Sequence, residues 1–442
     1  MRKCVRCARV PFFGPWPGEN DGTYGGLTWE DIVSRRDELI ERFFRYVAIE
    51  SQSNARSNVL PSSPGQLKLA CLLAEELKGL GIDDVLIDDH AIVTAVKRGT
   101  RPGAPKIGFI AHLDTVDVGL SPDIKPKVAS FDGTDICLNL DRDIWLRVGE
   151  HPEILPWNGH DVILSDGTSV LGADNKAAIA IIMTLLAGLG PDDAHGDIFV
   201  AFVPDEEIGL RGAKALDLSR FACDFAYTID CCELGELVLE NFNAASGEIL
   251  FTGVSAHPMS AKNVLVNPLL MALDYIAHFD RRDTPECTDE REGFFWFKEL
   301  NANDSEARLN VMIRDFDDVE FERRKAKIHA VAELVKAGHP GGGVECRVTD
   351  TYRNIAGHLA ADTRPASLLI RAFEKVGVEP KHIPMRGGTD GAVLSARGIP
   401  TPNFFTGAHN FPSRYEFLPV PAFEKSLAVA WAICALAAEE AS

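Results

Sequence analysis

Residues 198–209 read IFVAFVPDEEIG: seven mostly apolar residues run straight into three consecutive carboxylates. A short apolar run bounded by a turn signal reads as a buried strand. Three acids crowded at its mouth repel one another and resist desolvation. Either the strand simply surfaces there, or something positive sits against Asp205, Glu206 and Glu207.

Working outward, apolar strands alternate with helical patterns. VLIDD, AIVTAVK and KIGFIAH precede the quoted stretch, an Ala/Ile/Leu-rich run from Lys176 to Gly188 comes just before it, and FAYTID follows. This alternation predicts an α/β domain with a mainly parallel central sheet. Upstream, Thr28 with Asp31 resembles a capping box, Leu39, Ile40, Phe43 and Val47 recur at helical spacing, and a helix runs from Gln66 to about Leu80. Residues 118–166, rich in Pro, Gly and Asp, read as a surface excursion with short hairpins. After Asn243 the pattern becomes strand 248–254, helix 264–279, strands 293–298 and 307–314, helix 317–337 and strand 343–351, the βαββαβ order of a ferredoxin-like module. Helices at 365–376 and 421–438 then resume the first pattern. The expected organisation is an irregular extension at 1–27, a catalytic domain split between 28–242 and 355–442, and an α+β lid at 243–354.

The chain has 442 residues, 46% of them hydrophobic, and a formal charge of −20. That size supports a substantial core, and that charge argues against nucleic acid or an anionic membrane as partner. No apolar run is read as approaching the roughly 18–20 residues of a membrane span, and no signal-peptide core is seen near the start. A cytoplasmic location is therefore expected. Ten scattered cysteines, including the adjacent Cys231 and Cys232, suggest reduced thiols. Cys4 and Cys7 form a CxxC with no second CxxC to complete a zinc site.

Four segments of the α/β domain are read as strand ends bearing acids or His: FIAHLDTVD with His112 and Asp114, LGADNKAA with Asp174, VPDEEIG with Asp205, Glu206 and Glu207, and YTIDCCELGE with Asp230. Ligands of open α/β sheets gather beyond the carboxyl ends of strands. Singly, Asp174 reads best as a helix N-cap, Asp230 as a loop carboxylate and His112 as an interior histidine. Together they read as a site for a hard or borderline divalent ion, with a neighbouring carboxylate free to shuttle protons.

HLDT, LGADNKAA, PDEEIG, TID, ENFNAAS, AHP, IRDFD and RGGTDGA, in this order, resemble peptidase T, the tripeptide aminopeptidase branch of the dinuclear-zinc aminoacylase and carboxypeptidase superfamily. The likeness spans about residues 37–440 and implies a zinc-peptidase-like catalytic domain carrying a lid. It implies two zinc ions, with His112, Asp174, Glu207 and Asp230 as ligands, Asp174 bridging, and Asp114 orienting the imidazole. It implies Glu206 as general base and acid, His257 as oxyanion stabiliser, and Arg314 and Arg386 as grips on the peptide. For the arginines, ion pairing with Asp315, Asp317 or Asp390 is the competing reading. Short peptides are the implied partners, with a homodimer allowed.

The stretch TGAHNFPSRYEF, residues 406–417, departs from the family form TGGxNxHGxxEF: Pro412 stands where the last zinc-ligand histidine is expected. The second zinc site is then one ligand short, unless His409 or water serves. Cys231 and Cys232 follow Asp230 where the family usually has glycines; they could ligate, or be small buried side chains. Three readings stay open: a tripeptide aminopeptidase with a weakened second site, a related deacylase or carboxypeptidase, and a peptide-binding homologue without turnover.

Overall fold

The computed structural model describes residues 28–82 and 84–440. The extension at 1–27, with Cys4 and Cys7, lies outside the described residues. The described residues pack as two compact units, one formed by residues 239–357 with 384–388 and the other by the remaining described residues.

The larger unit is built on an eight-stranded sheet in the order Leu86–Ile87, Val93–Lys97, Ile198–Val203, Ile107–His112, Phe225–Cys231, Asn403–Phe405, Glu236–Val238, Lys381–His382. Four strands in the middle, Ile198–Val203 through Asn403–Phe405, run parallel. Val93–Lys97 and Glu236–Val238 pair antiparallel on their flanks, so the sheet is mixed, with the expected parallel strands at its centre. Every residue of Ile107–His112 and Ile198–Val203 is buried, as expected of parallel strands covered on both faces. His112 stands in register with Val203, so the acids after Pro204 emerge directly beside the imidazole.

Helix Ala173–Gly188 packs on these strands and against Arg36–Val47 and the terminal helix Val420–Glu439. The capping box forms: Thr28 accepts the Asp31 N–H, and Asp31 accepts the Thr28 N–H at 2.7 Å. One reading is corrected here. Val420–Glu439 is long and apolar enough by length and composition to cross a membrane, but 94% of its apolar 18-residue stretch is buried within the fold, where it packs against Ala173–Gly188. Residues 118–166 also exceed a surface excursion. The hairpin Ile136–Asn139/Ile144–Leu146 and strands Lys127–Ser130 and Asp161–Leu164 enclose a small core with Phe131, Leu146, Trp157 and Phe417.

The smaller unit is a four-stranded antiparallel sheet in the order Phe294–Ala302, Glu306–Asp315, Asn243–Thr252, Gly343–Tyr352, with helices Pro268–Ala277 and Asp318–Gly338. Phe321, Ile328, Val331 and Val335 face its core at helical spacing. The first of these helices starts at Pro268, later than its apolar pattern, because the Asn267 side chain caps it by accepting the Leu269 N–H at 3.0 Å.

Candidate metal centre

At the end of its strand, His112 is 2% exposed. Its Nε2 lies 2.9 Å from Asp174 Oδ1 and its Nδ1 3.3 Å from Asp114 Oδ1. The Asp114 carboxylate also accepts the backbone N–H of Glu206 at 3.0 Å and of Glu207 at 3.2 Å. One buried acid thus orients the imidazole and pins the turn that presents both glutamates.

Asp205 faces elsewhere. Held at φ +56°, it exchanges hydrogen bonds with Gln66, donating its N–H to Oε1 at 2.9 Å and accepting from Nε2 at 2.7 Å. It also accepts the Ser62 N–H at 2.8 Å. The crowding of the three acids is relieved by turning one of them towards the segment leading into helix Pro64–Gly79.

Asp174 is neither at a strand end nor an N-cap. It lies where the chain kinks into Ala173–Gly188, with a non-helical φ of −81° and ψ of 102°, two residues after Gly172 at φ +75°. Asp230 is the penultimate residue of its strand. Asn175 Nδ2 donates to its carboxylate at 3.1 Å, and its own N–H donates to Asn403 Oδ1 at 2.7 Å. One donor atom from each of His112, Asp174 and Glu207 lies within 4.8 Å of the others, the one such group among the described residues. Asp230 stands outside that trio but acts on it electrostatically.

Burial opposes a charged His112, yet hydrogen bonds to Asp114 and Asp174 outweigh it and hold the imidazole well above its ordinary pKa. Burial pushes Glu206 well up, aided by Asp230, Asp390 and Glu207. Burial and then Asp174 push Glu207 up to about 8, and burial and then Asp174 also raise Asp230. The acids strain against one another as they stand. Glu207 Oε1 and Asp390 Oδ1 are buried without a hydrogen-bond partner. One imidazole, several carboxylates and an unpartnered buried oxygen form a donor set that fits a divalent cation.

Three participants escaped the sequence reading. Lys176 is fully buried with Nζ on Thr115 Oγ1; burial lowers its pKa to about 8 despite Asp114, Asp174, Glu207 and Glu416 around it. Asp390, at the start of Asp390–Ala396, is pushed up to about 7 by burial. Glu416 accepts three backbone N–H groups from 171–173. The Lys two residues after Asp174 in ADNK was the available signal for Lys176; the other two depend on contacts far apart in sequence.

His409 is absent from the trio. Its ring lies flat on Phe417, with centroids 4.6 Å apart and planes at 4°, and Nδ1 is 3.8 Å from Glu233 Oε1. Burial lowers its pKa to about 4, and Nε2 is left unpartnered. Cys231 donates its thiol to Glu236 Oε2 at 3.3 Å, and burial raises the pKa of both adjacent thiols.

The model of the family described as Peptidase family M20/M25/M40 matches residues 172–435. The chain belongs to this family. A Peptidase T-like protein of Rhizobium meliloti (strain 1021) is 69% identical across 92% of this chain and 99% of its own length. A Peptidase T of Desulfitobacterium hafniense (strain DSM 10664 / DCB-2) is 43% identical across 91% and 99%. The solved structure of aminopeptidase PepT from Bacillus cereus ATCC 10987 shares the fold, with TM-score 0.71 and 24% identity over 91% of this chain and 99% of that one.

The remaining residues implied by the peptidase T likeness lie in the smaller unit. His257 is exposed and accepts the Met259 N–H on Nδ1 at 3.2 Å. Arg314 is buried, donates to the carbonyls of Ala245 and Ile313 at 3.2 and 2.9 Å, and lies over the Tyr352 ring. Asp315 pairs instead with Arg324 at 2.7 Å, and Asp317 caps Asp318–Gly338. Arg386 donates to Glu290 O, Glu292 O and Thr288 Oγ1, with its guanidinium over Phe242 and Phe294.

Proposed function

We propose that the chain is a metal-dependent aminopeptidase that releases the N-terminal residue of tripeptides in the cytoplasm. The observation that carries this reading is the convergence of His112, Asp174 and Glu207 beside a buried Glu206 whose backbone is tied to Asp114. The centre would hold zinc, with Asp230 completing the site of His112. A divalent cation held there polarises the scissile carbonyl and acidifies a water. The second position of the pair has Asp174 and Glu207, with Pro412 in the place of a further ligand, so its affinity is the lower.

Glu206 is the proton carrier. Its raised pKa favours taking a proton from the attacking water and returning it to the departing amine. Asp114 fixes the imidazole and, through two N–H contacts, the turn that presents Glu206. The likeness to peptidase T assigns His257 to the oxyanion, and Arg314 and Arg386 to the peptide carboxylate and backbone.

The test is metal content by elemental analysis, alongside hydrolysis of a free tripeptide, its N-acetylated form and an acyl amino acid, before and after adding zinc, manganese or cobalt. Cleavage of the free tripeptide at its first bond, with the N-acetylated form untouched, is the expected result. Cleavage of the acyl amino acid alone would make the chain a deacylase. Metal binding without any turnover would make it a binding homologue.

A further inference from the structure

The segment 406–417 that carries Pro412 and His409 reaches the centre by a different kind of contact. Glu416 is 1% exposed. Its Oε2 accepts the N–H groups of Leu171 at 2.8 Å and Gly172 at 3.2 Å, and its Oε1 accepts that of Ala173 at 2.8 Å. These donors belong to the turn that leads into Ala173–Gly188, whose regular part begins only after the non-helical Asp174 and Asn175, and buried backbone N–H groups in such a turn need an acceptor. The next residue is Asp174, whose Oδ1 is 2.9 Å from His112 Nε2. The turn leaves little room to adjust, since Gly172 has φ +75° and a Cβ there would come within 3.0 Å of the Ile124 side chain.

We propose that Glu416 is a positioning residue of the metal centre: by clamping the backbone of 171–173 it fixes where Asp174 presents its carboxylate. The inference rests on the metal reading above. It gives segment 406–417 a role at the centre through the backbone of its partner loop rather than through a ligand of its own. Glutamine cannot substitute, because its amide NH2 would face at least one of the three N–H donors whichever way it turned. Partners that orient a ligand in this indirect way are typically worth about 10- to 100-fold in metal affinity.

The experiment is a cobalt(II) titration of the metal-free full chain by visible absorbance, on the parent, Glu416→Gln, Asp174→Asn and Leu73→Val. Leu73 is buried in helix Pro64–Gly79, which packs on strands Leu86–Ile87 and Val93–Lys97 at one edge of the sheet, so its truncation lowers the melting temperature at a place remote in sequence from both sides of the clamp. Cobalt binding about 10- to 100-fold weaker in Glu416→Gln, with Leu73→Val binding as the parent does and the peptide KM of Glu416→Gln unchanged, supports the positioning role. Parent-like cobalt affinity in Glu416→Gln overturns it, as does a loss in both variants that merely tracks their melting temperatures. Should Glu416→Gln not fold, Glu416→Asp, which keeps the charge but withdraws it by one methylene, is read against the same two outcomes. A parent that binds no cobalt, and that Asp174→Asn leaves unchanged, overturns the metal reading itself.

Discussion

His112, Glu206, Glu207 and Asp230 come to the centre on or immediately after strands paired on both sides within the sheet, whereas segment 406–417 comes to it as a loop between short strands. On the strand side each donor has a fixed register, with His112 opposite Val203 and Asp230 held through Asn403 and Asn175. On the loop side Pro412 offers no donor atom, while the Glu416 carboxylate four residues later accepts three backbone N–H groups. Side chains set by a paired strand have a fixed register; a loop can act on the same place through a backbone contact alone.

If the strand side is where the chemistry resides, Glu206→Gln has the largest effect. Turnover of a tripeptide falls by about 10²- to 10⁴-fold while the metal content stays that of the parent. A variant that keeps its rate removes Glu206 from the mechanism.

Asp114→Asn comes next. It weakens both the hold on the imidazole and the acceptance of the Glu206 and Glu207 N–H groups, so metal affinity and kcat/KM drop by roughly 10- to 100-fold. Steady-state kinetics at saturating and limiting zinc separates the two losses. Because His112 is held above its ordinary pKa and must lose its proton to ligate, metal affinity rises as pH rises, with protons released on binding. Calorimetry in two buffers of different ionisation heat measures that release.

On the loop side, Pro412→His tightens the second metal by at least about tenfold, or ~1.4 kcal/mol, read as a move of elemental stoichiometry towards two. An unchanged stoichiometry means that the position of residue 412 does not face the centre.

The smallest effect on turnover is expected of Glu424→Gln, in the terminal helix. Burial pushes Glu424 up to about 7 from the ordinary 4.5, against Arg36 and Lys425. Between those two pH values the folded chain holds a proton that the unfolded chain has released. Stability is therefore greatest below about pH 4.5 and falls as pH rises through 7, by on the order of 3 kcal/mol for this one group. Urea midpoints at pH 5 and pH 8 should differ less in Glu424→Gln than in the parent, with activity intact.

Much of this was legible from residue order alone. The alternation of apolar runs and the βαββαβ order follow from periods of 2 and 3.6, which depend on neighbours a few residues away. The trio was reachable because each of its residues lies in a short motif. Strand direction was not, since Glu236–Val238 turns back antiparallel within a few residues of Phe225–Cys231 and no local pattern records it. Glu416 has no local signal in RYEF, because its partners are some 240 residues away. Lys176 looked like the polar end of an apolar helix, and Glu424 with Lys425 masked how apolar the terminal helix is.

The arrangement of core elements along the chain also has a consequence for synthesis. All strands and helices of the smaller unit's sheet fall in one stretch, 243–352, and pair locally. The larger unit needs Val420–Glu439 against Ala173–Gly188 to fill its centre. On the ribosome, the smaller unit therefore has all of its sheet and helices available while the larger one is still hollow. The clamp from Glu416 and the helix that follows it arrive together and after the whole of the smaller unit's sheet, so a nascent chain can complete the candidate centre only once that later stretch has been made.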